Sequence, residues 1–264
     1  MYHYSWFWLI PGVQDGAPLE SVHHSLEAAN APAWTMSHGE IANFHAVPAA
    51  WAVVAFIAVL ALLARNGIAS ARAQGGTAQY VPAANLGPRN FMELIIEALL
   101  NFMEQVLHSR AAAVKYLPLI GTIFIYILFS NLMGLVPGFL PPTAAMSNNM
   151  AIAVAVFIVF NWAGIKEHGL WGYAKTLMGP VPFLMPFIFL VETFSVFIRP
   201  LTLSLRLMLN MFADHLLLGV FSDLAALIIP SLLVGLGTFV AFVQAFVFML
   251  LTVIYLALAT SHDH

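Results

Sequence analysis

Two long stretches of this chain carry no charged side chain. Residues 116–165 and 224–262 contain no Asp, Glu, Lys or Arg, and each is longer than the roughly 20 apolar residues that one membrane-spanning helix requires. Only 8% of the whole sequence is charged and 61% is hydrophobic, whereas about 25% of a soluble domain is charged. The sequence therefore predicts an all-α polytopic membrane protein with about five membrane segments.

The composition also excludes several classes of function. The chain has no cysteine, which excludes disulfides, cysteine-ligated metals and thiol catalysis. A net charge of −3 argues against nucleic acid as a partner, because binding to phosphates requires a basic surface. The histidines near the N-terminus match no metal-binding spacing, so we expect neither a metal nor a cofactor. These histidines are His23, His24, His38 and His45.

The basic residues predict the orientation. Residues 1–45 form a polar head, and the apolar residues 46–64 are long enough for a first transmembrane helix. The loop 65–115 holds five of the nine Lys and Arg residues, so the positive-inside rule places it in the cytoplasm and the N-terminus outside. Those five are Arg65, Arg72, Arg89, Arg110 and Lys115.

The remaining segments follow in order. We expect a transmembrane hairpin over 116–165, turning outside at the proline-rich residues 137–143. A cytoplasmic loop over 166–180, a long helical hairpin over 181–259 and a cytoplasmic tail over 260–264 complete the prediction.

One segment of the first cytoplasmic loop is amphipathic. Over 91–107, apolar residues recur at helical spacing, while Glu93, Glu97 and Glu104 take the other side. We expect a helix that lies at the membrane surface or packs on a partner. Its acidic face argues against attraction to anionic lipid.

The stretch 181–222 is too long for a simple span. As one helix its 42 residues would measure about 63 Å, whereas the hydrocarbon core is about 30 Å thick. We expect this helix and the next to be strongly tilted, or to break at Pro186, Pro200 or Pro230. A re-entrant hairpin near Pro182 and Pro186 is the alternative.

Four charged residues lie within this apolar stretch, where an isolated charge costs at least about 2.5–3.5 kcal/mol. On a helical wheel the polar residues fall within about 80° of Arg206, whereas His215 falls on the opposite side. The residues of this stripe are Glu192, Ser195, Arg199, Thr202, Arg206, Asn210 and Asp214.

Two interpretations of the charges remain open. Either the arginines pair with Glu192 and Asp214 for structural reasons alone, or another subunit supplies an acid. Glu192 lies about 21 Å along the helix from Arg206, so it is no direct partner, whereas Asn210 at i+4 can reach Arg206. This spacing favours a counter-charge from another subunit.

Residues 198–215 read IRPLTLSLRLMLNMFADH. This run closely resembles the signature of subunit a of F-type ATP synthases, and the resemblance covers about residues 20–262. Further matching landmarks are SNLMGLVPGFLPPTA at 130–144, GYAKTLMGP at 172–180 and FVQAFVFMLLTVIYLALA at 242–259.

The resemblance implies a non-catalytic stator subunit that forms two proton half-channels beside a rotating ring of c subunits. It implies b-type peripheral stalk subunits as further partners and a bacterial inner membrane as the location. Its essential arginine matches Arg206, and other pathway residues match Asn131, Glu192, Arg199, Asn210, His215 and Gln244.

The chain departs from the family pattern at three positions. Gly237 stands where a His or Glu usually partners the residue matching His215, and Gly134 stands where some members carry an acid. Asp214 replaces a small residue. We expect Asp214 and His215 to supply the part of the access channel that the two glycines cannot.

Two other functions were weighed from the residues. A stand-alone ion transporter typically has internal repeats, and the sequence has none. An intramembrane enzyme requires a nucleophile with a base, or a metal constellation, and no such group is recognisable.

Overall fold

The computed structural model is a bundle of α-helices. It describes residues 46–74, 87–136, 139, 141–178, 185–224 and 228–260; the predicted N-terminal head, with its histidines, and the C-terminal tail lie outside these ranges. No strand occurs within them. Five helices are long and apolar enough to cross a membrane, which confirms the predicted all-α polytopic class.

Six helices make up the described part of the chain. The first three are α1 (Ala46–Gln74), α2 (Pro88–Leu107) and α3 (Arg110–Met133), and the last three are α4 (Met146–Met178), α5 (Met185–Leu224) and α6 (Ile228–Thr260). A short 3-10 turn, Pro142–Ala144, precedes α4. All except α2 contain a candidate membrane span.

The amphipathic helix that the sequence predicts over 91–107 is α2. It begins at Pro88, where a missing N–H costs nothing, and ends where His108 adopts a left-handed conformation with φ 51°. The next helix starts at once, because the Ser109 side chain accepts a hydrogen bond from the Ala112 N–H. The chain therefore reverses sharply between the two helices, and the buried residues of α2 pack against the bundle.

The core lies where α3 and α6 meet, with α4 and α5 packed beside them. Large apolar side chains from every helix except α1 are enclosed there. They include Met103, Ile120, Ile127, Val156, Leu207, Phe248, Met249 and Val253. This core fixes α5 and α6 side by side, and the candidate residues lie on that pair.

Helix α5 is 40 residues long, or about 60 Å, and it does not break at its prolines. It continues through Pro200, and Ser204 donates a hydrogen bond to the Pro200 carbonyl. Pro186 and Pro230 lie within the first turns of α5 and α6, where proline is tolerated. The described prolines therefore do not break these helices, and strong tilt stays a prediction; Pro182 lies outside the described residues.

The predicted loop over 166–180 is largely helical. Helix α4 continues to Met178, with a change of direction at Gly169, whose φ of 71° suits glycine alone. The turn folds Tyr173 back so that its hydroxyl donates to Asn161 Oδ1 at 2.9 Å. Likewise, α1 extends ten residues beyond the predicted end of the first span, to Gln74.

Candidate functional site

Helix α5 has one buried face and one open face. Val196, Leu203, Leu207 and Met211 recur at seven- and four-residue spacing and are buried. The opposite side of α5, together with the side of α6 next to it, exposes large apolar side chains over several turns. These include Phe194, Phe197, Leu209, Phe212, Leu232, Leu236, Phe239 and Phe242. So large an apolar face is typical of a surface that meets lipid or another subunit.

Arg206 is exposed on this face. Among the described residues it forms no ion pair and no hydrogen bond. Because a guanidinium does not lose its proton in a protein, Arg206 is a fixed positive charge directed away from the chain's own core. This position leaves the guanidinium accessible to an acid from outside the described part of the chain.

The pairing of Arg199 with Glu192 differs from the situation of Arg206. The Arg199 guanidinium donates to Glu192 Oε1 at 2.9 Å, two turns back along the same helix. It also lies 4.9 Å from the centre of the Tyr255 ring, a cation–π distance. The structural pairing considered from the sequence is therefore present for Arg199 and absent for Arg206.

Asn210 and Gln244 form a direct link between α5 and α6. Asn210 Nδ2 donates to Gln244 Oε1 at 2.7 Å, and Gln244 is only 4% exposed. The sequence suggested that Asn210 could reach Arg206, but its amide is directed to Gln244 instead. Gln244 is thus held one helical turn from Arg206.

The hydroxyl groups of two residues in the predicted stripe donate hydrogen bonds within their own helix. Ser195 donates to the Val191 carbonyl, and Thr202 donates to the Arg199 carbonyl. Both hydroxyls are exposed, and neither joins α5 to another element.

Asp214 borders a small cavity between α3, α5 and α6. Its volume is about 30 Å³, enough for a water molecule, which needs about 10–15 Å³. Asn131, Gly134 and Gly237 also line it. One carboxylate oxygen of Asp214, Oδ2, is buried without a hydrogen-bond partner. Most of the cavity wall is apolar, but the side chains of Asn131 and Asp214 give it two polar groups, which is the smallest number of partners that typically holds a buried water.

Two of the residues that line this cavity are glycines, Gly134 and Gly237. A Cβ at Gly134 would lie 2.7 Å from the Pro141 ring, and a Cβ at Gly237 would lie 2.8 Å from Leu135 Cδ2. Both positions are therefore tightly packed against a neighbouring side chain. The residues that depart from the family pattern therefore border one common space.

Asn131 enters the cavity from α3. It is 1% exposed, and its Oδ1 accepts a hydrogen bond of 2.8 Å from the Thr143 hydroxyl. Its Nδ2 lies 3.5 Å from the Ala241 carbonyl. Sequence reasoning identified Asn131 but missed Thr143 and Asn149, although the polar run Ser147–Asn149 in an apolar region was a usable signal.

The structure thus groups the predicted residues into three sets. Asn131 and Asp214 share the cavity, Asn210 bonds to Gln244, and Glu192 pairs with Arg199, while Arg206 stands apart on the open face. The side chain of His215 lies outside the described part. Within the described ranges, no group of three His, Asp or Glu residues could hold a metal.

Comparisons with known proteins identify the relatives of this chain. The family model described as ATP synthase A chain matches residues 49–257. A subunit a of ATP synthase from Bdellovibrio bacteriovorus is 40% identical over 208 residues, which cover 79% of this chain and 90% of that protein. The corresponding protein of Geotalea uraniireducens is 38% identical over 246 residues, 93% of this chain and 94% of its own length. That of Geobacter sulfurreducens is 36% identical over the same length, with the same coverage.

Proposed function

The chain belongs to the ATP synthase A chain family, and from this premise we propose how its residues carry protons. It is the proton-channel stator subunit of an F-type ATP synthase and does not itself catalyse ATP formation. In our proposal two half-channels approach α5 from opposite sides of the membrane. Arg206 lies between them, facing a ring of c subunits.

The exposed and unpaired guanidinium of Arg206 carries this proposal. A ring carboxylate that comes within about 4 Å of it gains roughly 4 kcal/mol at an effective dielectric constant near 20. The same carboxylate facing lipid is desolvated and holds its proton. Arg206 therefore favours proton release where the carboxylate passes it and separates the two half-channels by its fixed charge.

Rotation of the c-ring follows from this difference between the carboxylate beside Arg206 and the carboxylate facing lipid. A ring carboxylate can leave Arg206 for lipid only after it takes a proton from the other half-channel, because an ionised group in lipid is costly. The membrane potential contributes about 2.3 kcal/mol per charge per 100 mV. Net proton flow in one direction thus turns the ring in one direction.

We assign the remaining residues to the two routes. Asn131, Asp214 and His215 belong to the access route, with Asp214 supplying the ionisable group at a cavity bordered by Gly134 and Gly237. Glu192 and Arg199 belong to the exit route. The Asn210–Gln244 hydrogen bond holds α6 against α5 beside Arg206.

The exposed surfaces of the chain also suggest where its partner subunits bind. The open apolar face of α5 and α6 meets the c-ring and lipid, and b-type peripheral stalk subunits bind elsewhere on the chain. We propose a bacterial inner membrane as the location, with the N-terminus outside and the C-terminus in the cytoplasm, as the positive-inside rule indicates.

Replacement of Arg206 tests the proposed function. We expect Arg206→Ala in the whole complex to abolish ATP synthesis driven by a proton gradient, because nothing then favours ionisation of the ring carboxylate at the interface. Arg110→Ala is the matched control, because Arg110 forms an exposed ion pair with Glu104. We expect this variant to retain ATP synthesis. Normal synthesis by assembled Arg206→Ala complexes would refute the role of Arg206.

A further inference from the structure

A chain of polar contacts runs through the apolar interior towards the Asp214 cavity. The Tyr126 hydroxyl donates to Asn148 Oδ1 at 2.9 Å, and Asn148 Nδ2 lies 3.5 Å from Asn149 Oδ1. Asn149 Nδ2 donates to the Thr143 carbonyl at 2.7 Å. The Thr143 hydroxyl then donates to Asn131 Oδ1 at 2.8 Å. The last three of these residues are almost completely buried.

Each contact in this chain has a defined direction. The Thr143 carbonyl can only accept, so the Asn149 NH₂ group faces it and holds this backbone in place. The Thr143 hydroxyl donates to Asn131 Oδ1. The Asn131 Nδ2 faces the Ala241 carbonyl, which also can only accept, so these two contacts together set the orientation of the Asn131 amide.

Asn131 lines the cavity, and its NH₂ group is the end of the amide that Thr143 does not engage. The Ala241 carbonyl lies 3.5 Å from Nδ2, a distance at which a hydrogen bond is weak. An amide nitrogen carries two hydrogens, so at least one remains available to the cavity that Asn131 shares with Asp214. A donor at this position orients a water with its oxygen towards Asn131 and its hydrogens free to reach a carboxylate.

We propose that Thr143, held by Asn149, is a positioning residue for proton transfer: it fixes the Asn131 amide so that a donor, and not an acceptor, faces the Asp214 cavity. The inference rests on the proposed role of Asn131 and Asp214 in the access route. Without the Thr143 hydroxyl, the amide can turn its oxygen to the cavity and reverse the orientation of the water. Thr143 acts through Asn131 and does not itself carry the proton.

The test compares two substitutions of Thr143 in the assembled complex. Thr143→Val keeps the shape and removes the hydroxyl, and we expect passive proton conductance through the reconstituted membrane sector to fall about fivefold, the ratio that corresponds to one net hydrogen bond. Thr143→Ser keeps the hydroxyl and restores conductance. Thr252→Val is the matched control, since Thr252 is also buried but donates only within its own helix, and its conductance stays at the wild-type level.

A double substitution separates positioning from packing. In an Asn131→Ala background, Thr143→Val should cause no further loss, because no amide remains to be oriented. Further loss there, or failure of Thr143→Ser to restore conductance, would show that Thr143 acts only in packing. Wild-type conductance of the Thr143→Val variant, together with reduced conductance of the Asn131→Ala variant, would also overturn the positioning role of Thr143. Wild-type conductance of Asn131→Ala itself would instead refute the proposed role of Asn131 in the access route.

Discussion

Arg206 and Asp214 lie on one helix, but their surroundings differ. The guanidinium of Arg206 is exposed on an apolar face, where it can meet a charge from another subunit. The Asp214 carboxylate has an oxygen buried beside a water-sized cavity within the chain. A fixed cation at an interface and an ionisable group at an internal cavity suit different steps of proton transfer, which is why we assign them different roles.

Removal of the Asp214 carboxylate should impair function without destabilising the fold. We expect Asp214→Ala to reduce ATP-driven proton pumping by about a hundredfold to ten-thousandfold, the typical contribution of a positioned proton-transferring side chain. Its buried oxygen has no partner, so its loss leaves no hydrogen bond unmade and does not lower the thermal stability of the complex.

Two measurements on the same sample check this prediction. Proton pumping is followed by the quenching of a pH-sensitive dye in vesicles, and the unfolding temperature is measured on the purified complex. Glu104→Ala is the control, because Glu104 forms an exposed ion pair. Unimpaired pumping by Asp214→Ala would show that the carboxylate is not part of the access route.

The sequence predicted single residues better than their partners. Charges in an apolar stretch are costly, so Glu192, Arg199, Arg206 and Asp214 could be picked out by position alone. Their partners depend on how the helices are set against one another. Helical spacing alone therefore left open both the Arg199–Glu192 pair and the direction of the Asn210 amide.

At the scale of elements, α5 and α6 are long helices whose relative position is fixed by small residues and buried polar links. Apolar patterning indicated the helices themselves, since long uncharged runs permit little else in a membrane. It did not indicate that α4 continues past Gly169, because a left-handed glycine allows a helical segment to resume after a turn. The site at the cavity arises from such close approaches between elements.

The two cavity glycines should differ in their tolerance of alanine. At Gly134 the added Cβ meets three atoms of the Pro141 ring at 2.7–3.1 Å, and a ring cannot rotate away. At Gly237 it meets only the tip of Leu135 at 2.8 Å, which can change rotamer. We expect Gly134→Ala to cost about 1–3 kcal/mol of stability and Gly237→Ala to cost less, since alanine favours a helix.

The thermal stability of the two variant complexes checks this difference. Gly237→Ala serves as the matched control, because both variants add one methyl group to the same cavity wall. A loss at Gly237 equal to that at Gly134 would contradict the packing described for this wall.

At the scale of the whole molecule, the distribution of basic residues and the order of the helices are consistent with one orientation in the membrane. Five spans with the first basic loop inside bring the C-terminus to the cytoplasmic side. In the proposed orientation, the cavity beside the turn between α3 and α4 lies towards the outside. The pair Glu192–Arg199, near the opposite end of α5, then lies towards the cytoplasm.

The absence of cysteine from the sequence makes this orientation directly testable. Ser147 lies in the first turn of α4 and Ala111 in the first turn of α3, and both are exposed. We expect a membrane-impermeant maleimide to label Ser147→Cys from outside and Ala111→Cys only in inverted vesicles. The reverse pattern would show that the chain is inserted the other way, and the cysteine-free parent controls for background labelling.

The central claim is that Arg206 couples proton movement to rotation of the ring, and the most direct test is proton flux through reconstituted complexes with and without this residue. An imposed gradient should drive protons through assembled Arg206→Ala complexes without ATP formation, because the charge that separates the half-channels is gone. Wild-type and Arg110→Ala complexes should form ATP from the same gradient. Wild-type ATP formation per proton in Arg206→Ala complexes would contradict the account.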